Sequence, residues 1–446
     1  MSANRLAALC EAAGTKFLLA LFVDLNGKPC AKLVPVEAVD EFATDGVGFA
    51  GYAVGAMGQE PKDPDLIAIP DLDSFTPVPF VKEGLAIVHC DPHVLGKPWP
   101  FAPRNILKAL VQQAADAGFE AWVGAEVEYF LLKRNATGEL VPADDDDTAA
   151  QPCYDARAVT RMYDHLAAIS VAMNQLGWGN YANDHEDGSG QFEQNFKFAE
   201  ALTTADRVIT LRYLLSVLAA ERGMIATFMP KPYANKTGSG LHLHLSLTSG
   251  GAPVFPVDDA AEDPTGLGLS DTACAFVAGI LEHASALQAV IAPTVNSYKR
   301  TSATTTASGA SWAPRSPTWG GNDRTHYIRI PDKQRLELRG GDGSANPYLA
   351  IAGALAAGLD GVKRSADPGA LGSGPGGSLP LTLLHAVEAL EADPVVTAML
   401  DAVLGEWPDA GLPSVATYFA QLKREEFFAW HAHVSSWEHD RYLTAF

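Results

Sequence analysis

The sequence predicts an α+β protein of two domains, and three observations lead to that prediction. Asn26-Gly27 separates two β-prone segments, 17–24 and 28–34, which indicates a hairpin because both central turn positions tolerate positive φ. A proline-rich stretch at 91–100 then interrupts the chain after about a hundred residues, a size typical of one domain. Beyond it, strand patterns and helix patterns alternate without an internal repeat.

Composition narrows the class of protein. The chain has 446 residues, of which 47% are hydrophobic and 19% charged, as in ordinary globular enzymes. Its formal net charge of -21 argues against binding to nucleic acid or to an anionic membrane surface. The five cysteines form no CxxC motif, and no N-terminal segment reads as a signal or a membrane span. We therefore expect a cytoplasmic protein.

The N-terminal domain is predicted to cover residues 1–99. Its expected elements are a helix at 5–14, the hairpin, a helix near 35–43, a glycine-rich loop at 46–52 and strands at 66–69 and 85–89.

The second domain is predicted to cover residues 103–446 and to begin with Pro103 in the first turn of a helix. Further helices are expected near 154–176, 203–222, 270–291 and 347–362, and strands at 122–132, 183–193 (a pair), 241–246, 327–330 and 335–339. The Ser-, Thr- and Gly-rich segment up to Ala310 is expected to be a mobile loop over a site.

Three of these strands share one arrangement of functional groups. They contain Glu126-x-Glu128, His242-x-His244 and Glu337-x-Arg339, each with apolar residues in alternate positions. Since residues i and i+2 of a strand point to the same face, each strand presents two functional groups on one side.

Glu186 and Glu193 flank a polar turn and extend this set. Five carboxylates and two imidazoles, without a thiolate, suit Mg²⁺ or Mn²⁺ better than structural zinc. Paired cations of this kind commonly clamp transferring phosphates. The alternative is that the strands lie on different faces and that the glutamates are surface residues.

Basic residues are concentrated between Lys299 and Arg339. This window holds eight lysines and arginines and three acidic residues. Arginines beside metal-binding carboxylates bind phosphate and carboxylate oxygens in a bidentate manner, although a solvated face is the simpler explanation. Neither GxxxxGK[ST] nor GxGxxG occurs. Metals and arginines together predict ATP-dependent phosphoryl chemistry on another fold.

At this point the sequence resembles the glutamine synthetase family over nearly its full length, and most closely the short "type III" branch, which includes enzymes that make γ-glutamylmethylamide. The resemblance depends on ordered motifs at Glu126–Phe130, Gln191–Glu193, Met229–Pro232, Gly238–Ser246, Asn296–Arg300, Asn322–Thr325, Ile328–Pro331, Arg335–Arg339 and Asn346–Leu349.

The resemblance implies a β-grasp N-terminal domain and a catalytic domain with an antiparallel sheet and helices. It also implies a double-ring homo-oligomer, expected to be a dodecamer, with active sites between neighbouring subunits. Two or more Mg²⁺ or Mn²⁺ ions, ATP and glutamate are the implied ligands. The tyrosine loop that is adenylylated in bacterial ammonia enzymes is replaced here by the Gly/Pro/Ser stretch 367–378, so that regulation is not expected.

The motifs also imply roles for individual residues. One metal is expected on Glu128, Glu186 and Glu193, and the second on Glu126, His242 and Glu337. Glutamate is expected at Gly238, Arg300 and Arg339, and the nucleotide at Phe198, His244, Ser246, Arg329, Lys333 and Arg335. Arg324 is expected where the γ-phosphate is transferred, and Arg324 and Glu186 are the expected catalytic residues.

Two departures from the family's pattern concern the amine. Ammonia-using relatives carry Phe-Asp-Gly where this chain has Phe49-Ala50-Gly51, and a glutamate where it has Trp312 before Ala-Pro. Two carboxylates for ammonium are therefore replaced, and an aromatic ring is added that can contact an alkylammonium ion. We expect Ala50, Asp184 and Trp312 to form the amine pocket.

The expected activity is ATP-dependent ligation of L-glutamate to a small primary amine, with methylamine as the first candidate and γ-glutamyl phosphate as the intermediate. Synthesis of glutamine from ammonia is the main alternative, with Asp184 supplying the missing carboxylate. A larger amine is less favoured because Ala50 and Trp312 offer no acidic pocket. A non-catalytic relative would have lost metal ligands, and all six positions carry a suitable residue.

Overall fold

The computed structural model describes residues 2–257, 263, 265–303, 306–408 and 410–446. These residues form two β-sheets with helices packed around them. The first sheet lies within residues 17–98 and the second within residues 120–338. The predicted division between 1–99 and 103–446 falls between the sheets, and independent folding of either part stays a prediction.

The first sheet combines parallel and antiparallel pairs. Its strands are β1 Phe17–Val23, β2 Pro29–Pro35, β3 Val47–Phe49, β4 Leu66–Pro70, β5 Thr76–Pro77, β6 Leu85–Val94 and β7 Lys97–Pro98. The order is β2-β1-β6-β4-β3, and the central pair β1 and β6 is parallel. Helices α1 Ser2–Ala13, α2 Val39–Asp45 and α3 Gly51–Val54 accompany the sheet. This mixed sheet with its central parallel pair is the expected β-grasp domain.

The Asn26-Gly27 hairpin is confirmed. Strands β1 and β2 pair antiparallel, and Gly27 takes a φ of 80° in the turn. The strand predicted at 85–89 is longer in the structure. Pro92 lies inside β6, which continues to Val94. The Pro92 carbonyl accepts a hydrogen bond from the backbone N–H of Trp99 at 2.9 Å.

The second sheet carries the acidic strands. Its members are β8 Glu120–Arg134, β9 Leu140–Pro142, β10 Ala182–His185, β11 Gln191–Asn195, β12 Ala199–Glu200, β13 Ile225–Thr227, β14 Leu241–Ser249, β15 Ala252–Pro253, β16 Trp319–Gly320, β17 Ile328–Asp332 and β18 Arg335–Leu338. Its main path is β10-β11-β8-β14-β18-β17-β16. Neighbours are antiparallel except β16 and β17, which are parallel. The long strand β8 also pairs with β9, β12 and β13.

The remaining helices are α4 Pro103–Asp116, α5 Ala156–Arg161, α6 Tyr163–Gln175, α7 Ala201–Ala220, α8 Asp271–Glu282, α9 Ala284–Ile291, α10 Ser297–Thr301, α11 Pro347–Arg364, α12 Leu383–Ala392, α13 Pro394–Leu400, α14 Val415–His431 and α15 Ser436–Tyr442.

Two predicted long helices are each divided in two. The helix expected at 154–176 breaks at Met162, and the one expected at 270–291 bends by 74° at His283. Among the described residues no single helix is long and apolar enough to cross a membrane, although the bent pair α8 and α9 together has the required length and composition.

The two sheets belong to one packed body. Buried apolar residues of both parts form a continuous core. At the junction the buried guanidinium of Arg104 pairs with Asp71 and Asp91 of the first part and Asp206 of the second. The Asn346 amide also donates hydrogen bonds to the backbone carbonyls of Asp24 and Leu25. These contacts attach the hairpin end of the first sheet to the N-terminus of α11.

Candidate active site

The three strands with paired functional groups are direct neighbours, as the common pattern suggested. Strand β14 lies between β8 and β18, with His242 opposite Glu126 and His244 opposite Glu337. Leucines at 241, 243 and 245 are buried on the other face of β14. The alternation of leucine with polar residues therefore separates the core from a polar face in which all three strands meet.

The first acidic set consists of Glu128, Glu186 and Glu193. Glu193 of β11 lies opposite Glu128 of β8, and Glu186 follows β10, which is paired with β11. One carboxylate oxygen from each residue lies within 4.8 Å of the others. Burial, followed by the charges of neighbouring carboxylates, raises the pKa of Glu186 and Glu193 well above the usual range.

The second set contains Glu126, Glu337 and both histidines of β14. His244 Nε2 lies 2.8 Å from one oxygen of Glu126, and His242 Nδ1 lies 3.0 Å from the other. The three ligand atoms that lie within 4.8 Å of one another come from Glu126, His244 and Glu337. His242, which we expected as the ligand, lies between the sets, 3.6 Å from Glu337 and 3.8 Å from Glu128.

These residues fit divalent cations. His242 Nε2 is buried and has no hydrogen-bond partner within the described ranges, so it is available to a ligand. The atoms available to coordinate a metal here are carboxylate oxygens and imidazole nitrogens, which are ligands that suit Mg²⁺ and Mn²⁺. Cys153 lines the same cavity, but burial and the neighbouring carboxylates raise its pKa to about 12, so it stays a thiol.

Glu337 is fixed by arginines on either side. Arg329 Nη1 donates to one carboxylate oxygen at 2.6 Å, and Arg339 Nη1 donates to the other. Arg329 was expected on the nucleotide side, yet it lines neither of the two cavities described below and is bound to Glu337 and Asn322. It contacts a carboxylate of the metal set because β17 and β18 pair Arg329 directly with Glu337.

A cavity of about 500 Å³ opens beside the first acidic set, and Gly238, Arg300 and Arg339 line it. Arg300 is buried, and its Nε and Nη1 have no hydrogen-bond partner among the described residues. A side chain at Gly238 would collide with the Pro230 carbonyl at 2.3 Å and with Arg300 at 2.9 Å. Glycine therefore lets the loop approach the arginine, whose free donors suit a substrate carboxylate.

The lining of the same cavity also includes aromatic and charged residues. Tyr154, Tyr181, Asp184, Trp312 and Arg324 line it. Burial, and then the charges of Glu126 and Glu128, raise the pKa of Asp184 to about 6. Asp184 and Trp312, two of the residues expected in the amine pocket, therefore line one cavity together with Arg324.

A second cavity of about 710 Å³ adjoins the first, since Glu126 and Tyr181 line both. Five residues expected on the nucleotide side line it: Phe198, His244, Ser246, Lys333 and Arg335. Phe198 is exposed and packs edge-on against Trp122 at 5.9 Å between ring centroids. The lining of the cavity therefore offers an aromatic surface and two cations.

Ala50 is separated from both cavities within one chain. It is exposed immediately before α3, at the edge of the first sheet, and lines neither cavity. Sequence reasoning also missed Tyr154, Tyr181 and Asp187 as site residues. All three lie outside the strands and helices, although a helix was predicted to begin at 154. The only available signal for Asp187 was its position next to Glu186.

Comparisons with known proteins agree with this geometry. A family model described as the glutamine synthetase catalytic domain matches residues 100–442. A glutamine synthetase of Rhizobium leguminosarum bv. phaseoli is 40% identical over 98% of this chain and 99% of the relative. A glutamate–methylamine ligase of Methyloversatilis universalis is also 40% identical, over 97% of each chain. A solved structure described as a GmaS/ADP complex superimposes with a TM-score of 0.89 at 43% identity, covering 98% of this chain and 99% of that chain.

Proposed function

The chain belongs to the glutamine synthetase family, and from that premise we propose that it joins L-glutamate to methylamine with ATP, forming γ-glutamylmethylamide, ADP and phosphate. One observation carries the choice of amine. The position expected to hold an ammonium-binding glutamate is Trp312, which lines the cavity beside Asp184, while all six expected metal positions keep a suitable ligand. A methylammonium ion keeps its charge for Asp184 and adds a methyl group for the aromatic ring.

The reaction begins with phosphoryl transfer. An oxygen of the glutamate γ-carboxylate forms a bond to the γ-phosphorus of ATP, and the bond from that phosphorus to the β,γ-bridging oxygen breaks, releasing ADP. The glutamate α-carboxylate is assigned to Arg300 and Arg339, and Arg324 faces the phosphoryl group. The cations held by the two acidic sets would neutralise phosphate charge.

Amide formation completes the cycle. The nitrogen of the free amine attacks the γ-carbonyl carbon, the bond from that carbon to the phosphate oxygen breaks, and the proton lost by the nitrogen leaves with the phosphate. Asp184 is the proposed anchor for the incoming ammonium ion, because its carboxylate faces the same cavity as Trp312. Glu186, which belongs to the first acidic set, lines the same cavity as Asp184.

Ammonia is the second candidate amine. Its supporting observation is that a relative named glutamine synthetase is as similar to this chain as the methylamine ligase, at 40% identity each. Asp184 would then hold ammonium without the two carboxylates of the ammonia-using pattern.

An amine comparison decides between the candidates. Formation of γ-glutamyl amide is measured with glutamate, Mg-ATP and either methylamine or ammonia, each over a range of concentrations. We expect kcat/KM for methylamine to exceed that for ammonia by about tenfold or more, since one methyl group in an apolar pocket is worth about 1–3 kcal/mol. Equal or greater efficiency with ammonia would overturn the methylamine assignment.

The matched variant is Trp312→Glu, which restores the residue of the ammonia-using pattern. It should lower kcat/KM for methylamine and raise the relative efficiency with ammonia. If Trp312→Glu leaves the ratio unchanged, Trp312 does not determine the amine. A panel with larger primary amines in the same assay covers the remaining alternative.

We further propose that the protein works as a double-ring homo-oligomer, most simply a dodecamer, in which the N-terminal domain of one copy completes the cavity of the next. The supporting observation is that Ala50 is exposed and lines neither cavity of its own chain. A cytoplasmic location is proposed because the five cysteines are all free thiols.

A further inference from the structure

The carboxylate of Asp187 accepts three hydrogen bonds that join two separate segments beside the cavity. Its Oδ2 accepts hydrogen bonds from Thr237 Oγ1 at 3.0 Å, from Trp312 Nε1 at 2.8 Å and from the hydroxyl of Ser308. The three donors come from outside the turn that holds Asp187, so these contacts do not stabilise that turn itself. Asp187 is buried, with 8% of its surface exposed, and the reaction outlined above gives it no role.

Two of the donors belong to residues 306–312, which we call the flap. Ser311 and Trp312 of the flap line the 500 Å³ cavity. The rest of the flap is attached more weakly, through the Ala307 N–H to the Asn235 carbonyl at 2.7 Å and through Gln151 to the Ser308 carbonyl at 3.3 Å. Asp187 therefore supplies the charged contact that holds this wall in place.

Trp312 needs such a contact because its backbone is strained. Its φ is 57°, in the left-handed region that bulky residues rarely adopt. A residue stays in that region only when its surroundings hold it there. Asp187 holds the indole, and Arg339, a proposed glutamate-binding residue, donates to the Trp312 carbonyl at 3.4 Å.

The geometry points to Asp187 as a positioning residue that latches the flap over the amine end of the cavity. The catalytic role of this latch rests on the proposed function. The latch itself consists of contacts within the protein and does not depend on that function. Thr237 directly precedes Gly238, a proposed glutamate-binding residue, so the same carboxylate connects the flap to the loop that contains Gly238. With the latch in place, water is kept from the acyl phosphate until the amine attacks.

The latch is tested first by limited proteolysis of the assembled full-length protein without substrates. Subtilisin cleavage within residues 306–312 is timed, and the cut is located by mass spectrometry. Asp187→Ala should speed this cleavage by about tenfold or more, because hydrogen bonds to a charged group contribute about 1.5–3 kcal/mol. Trp312→Phe, which removes only the indole donor, should speed cleavage to a lesser extent.

A double-mutant cycle shows whether the two residues act together. In the Asp187→Ala background, Trp312→Phe should add little, because the contact is already absent. Trp437→Phe is the control for the change from tryptophan to phenylalanine, because Trp437 is exposed on α15. The flap of this variant should be cleaved at the wild-type rate. The latch would be overturned if Asp187→Ala were cleaved at the wild-type rate. It would also be overturned if the two substitutions multiplied their effects on the cleavage rate in the double variant. If Asp187→Ala does not fold, Ser308→Ala and Trp312→Phe decide, and both must speed cleavage.

Catalysis supplies the second readout. With glutamate, ATP and methylamine, Asp187→Ala should raise the ratio of ADP to amide by about fivefold or more, because water then attacks the γ-carbonyl carbon, displaces phosphate and regenerates glutamate. A purely structural role would lower ADP and amide together and would leave the ratio unchanged. If the wild-type protein makes no γ-glutamyl amide, the proposed function fails while the proteolysis result still decides the latch.

Discussion

At the level of single residues, the first acidic set combines desolvation with closely spaced carboxylates. Glu193 is buried and Glu186 is half-buried, both within reach of Glu128, and desolvation together with the neighbouring carboxylate charges raises the pKa of both. An amide of Asn195 donates to Glu193 at 2.6 Å and relieves only part of this cost. A divalent cation between the three oxygens would relieve the rest, so cation binding and folding stability should be coupled.

Replacing Glu193 by glutamine tests that coupling. The variant should melt a few degrees above the wild type without metal, because one buried like charge is gone. Saturating Mn²⁺ at 100 times its Kd should stabilise the wild type by about 2.7 kcal/mol and the variant much less. Thermal unfolding with and without Mn²⁺, after treatment with EDTA, measures both effects. Glu200→Gln is the control, since Glu200 is exposed before α7. An unchanged Mn²⁺ response in Glu193→Gln would contradict the assignment.

Residues on strands were predictable, and residues on turns were not. Glu126, Glu128, His242 and Glu337 were located because alternation along a strand fixes the face on which each side chain lies. Asp187 could not be found this way, because its three partners are 50, 121 and 125 positions away along the chain. The pairing of Arg329 with Glu337 likewise depends on register between β17 and β18, which the sequence alone does not fix.

At the level of elements, local signals identified strands and helix starts but not helix breaks. The apolar periodicity of 270–291 continues through His283, which explains why one helix was expected there. The chain bends at that residue, and the His283 ring is held between Asp393 at 2.7 Å and Asp360 at 3.2 Å. Those partners come from the start of α13 and from α11, so the break depends on tertiary contacts.

The His283 contacts predict a pH-dependent stability. Burial alone would lower the pKa of His283, but the hydrogen bonds to Asp393 and Asp360 outweigh it and raise the pKa above 6.5. The native state therefore binds the proton more tightly than the unfolded state. The contribution is complete below the unfolded pKa of about 6.5 and is lost as pH rises through the native pKa.

His283→Gln should accordingly destabilise the protein most at low pH. We expect the free energy of unfolding to fall by about 1.5–3 kcal/mol at pH 6, where charged hydrogen bonds are lost, and by less at pH 9. Urea unfolding of both proteins across this range measures the difference. His385→Gln, at an exposed position on α12, should show no such trend. A loss of stability that is equal at pH 6 and pH 9 would mean that the His283 charge contributes nothing.

At the level of the whole molecule, one chain provides most of a site but not all of the expected amine pocket. The first sheet is attached to α4, α7 and α11 through Arg104, His89 and Asn346, which fixes its position on its own catalytic domain. In that position Ala50 lines neither cavity of its own chain. The proposed assembly, in which a neighbouring copy supplies this segment, would resolve the separation.

Complementation between inactive chains tests the shared site. Ala50→Arg places a bulky cation at an exposed position, so it should leave the fold intact but block the neighbour's cavity and abolish most activity. Glu186→Gln removes an acidic ligand from the chain's own cavity. When the two variants are co-expressed in equal amounts, sites that combine the intact half of each chain should restore about a quarter of the wild-type activity per site, as random assembly of a shared interface requires.

The control is a mixture of Glu186→Gln with Glu193→Gln. Both changes affect the same acidic set within one chain, so no combination of these chains yields an intact cavity and activity should stay absent. Recovery in the first mixture but not in the second would place Ala50 in a neighbour's active site. Full activity of Ala50→Arg alone would show instead that each chain completes its own site, and the choice of amine would then depend on Asp184 and Trp312 without a contribution from a second copy.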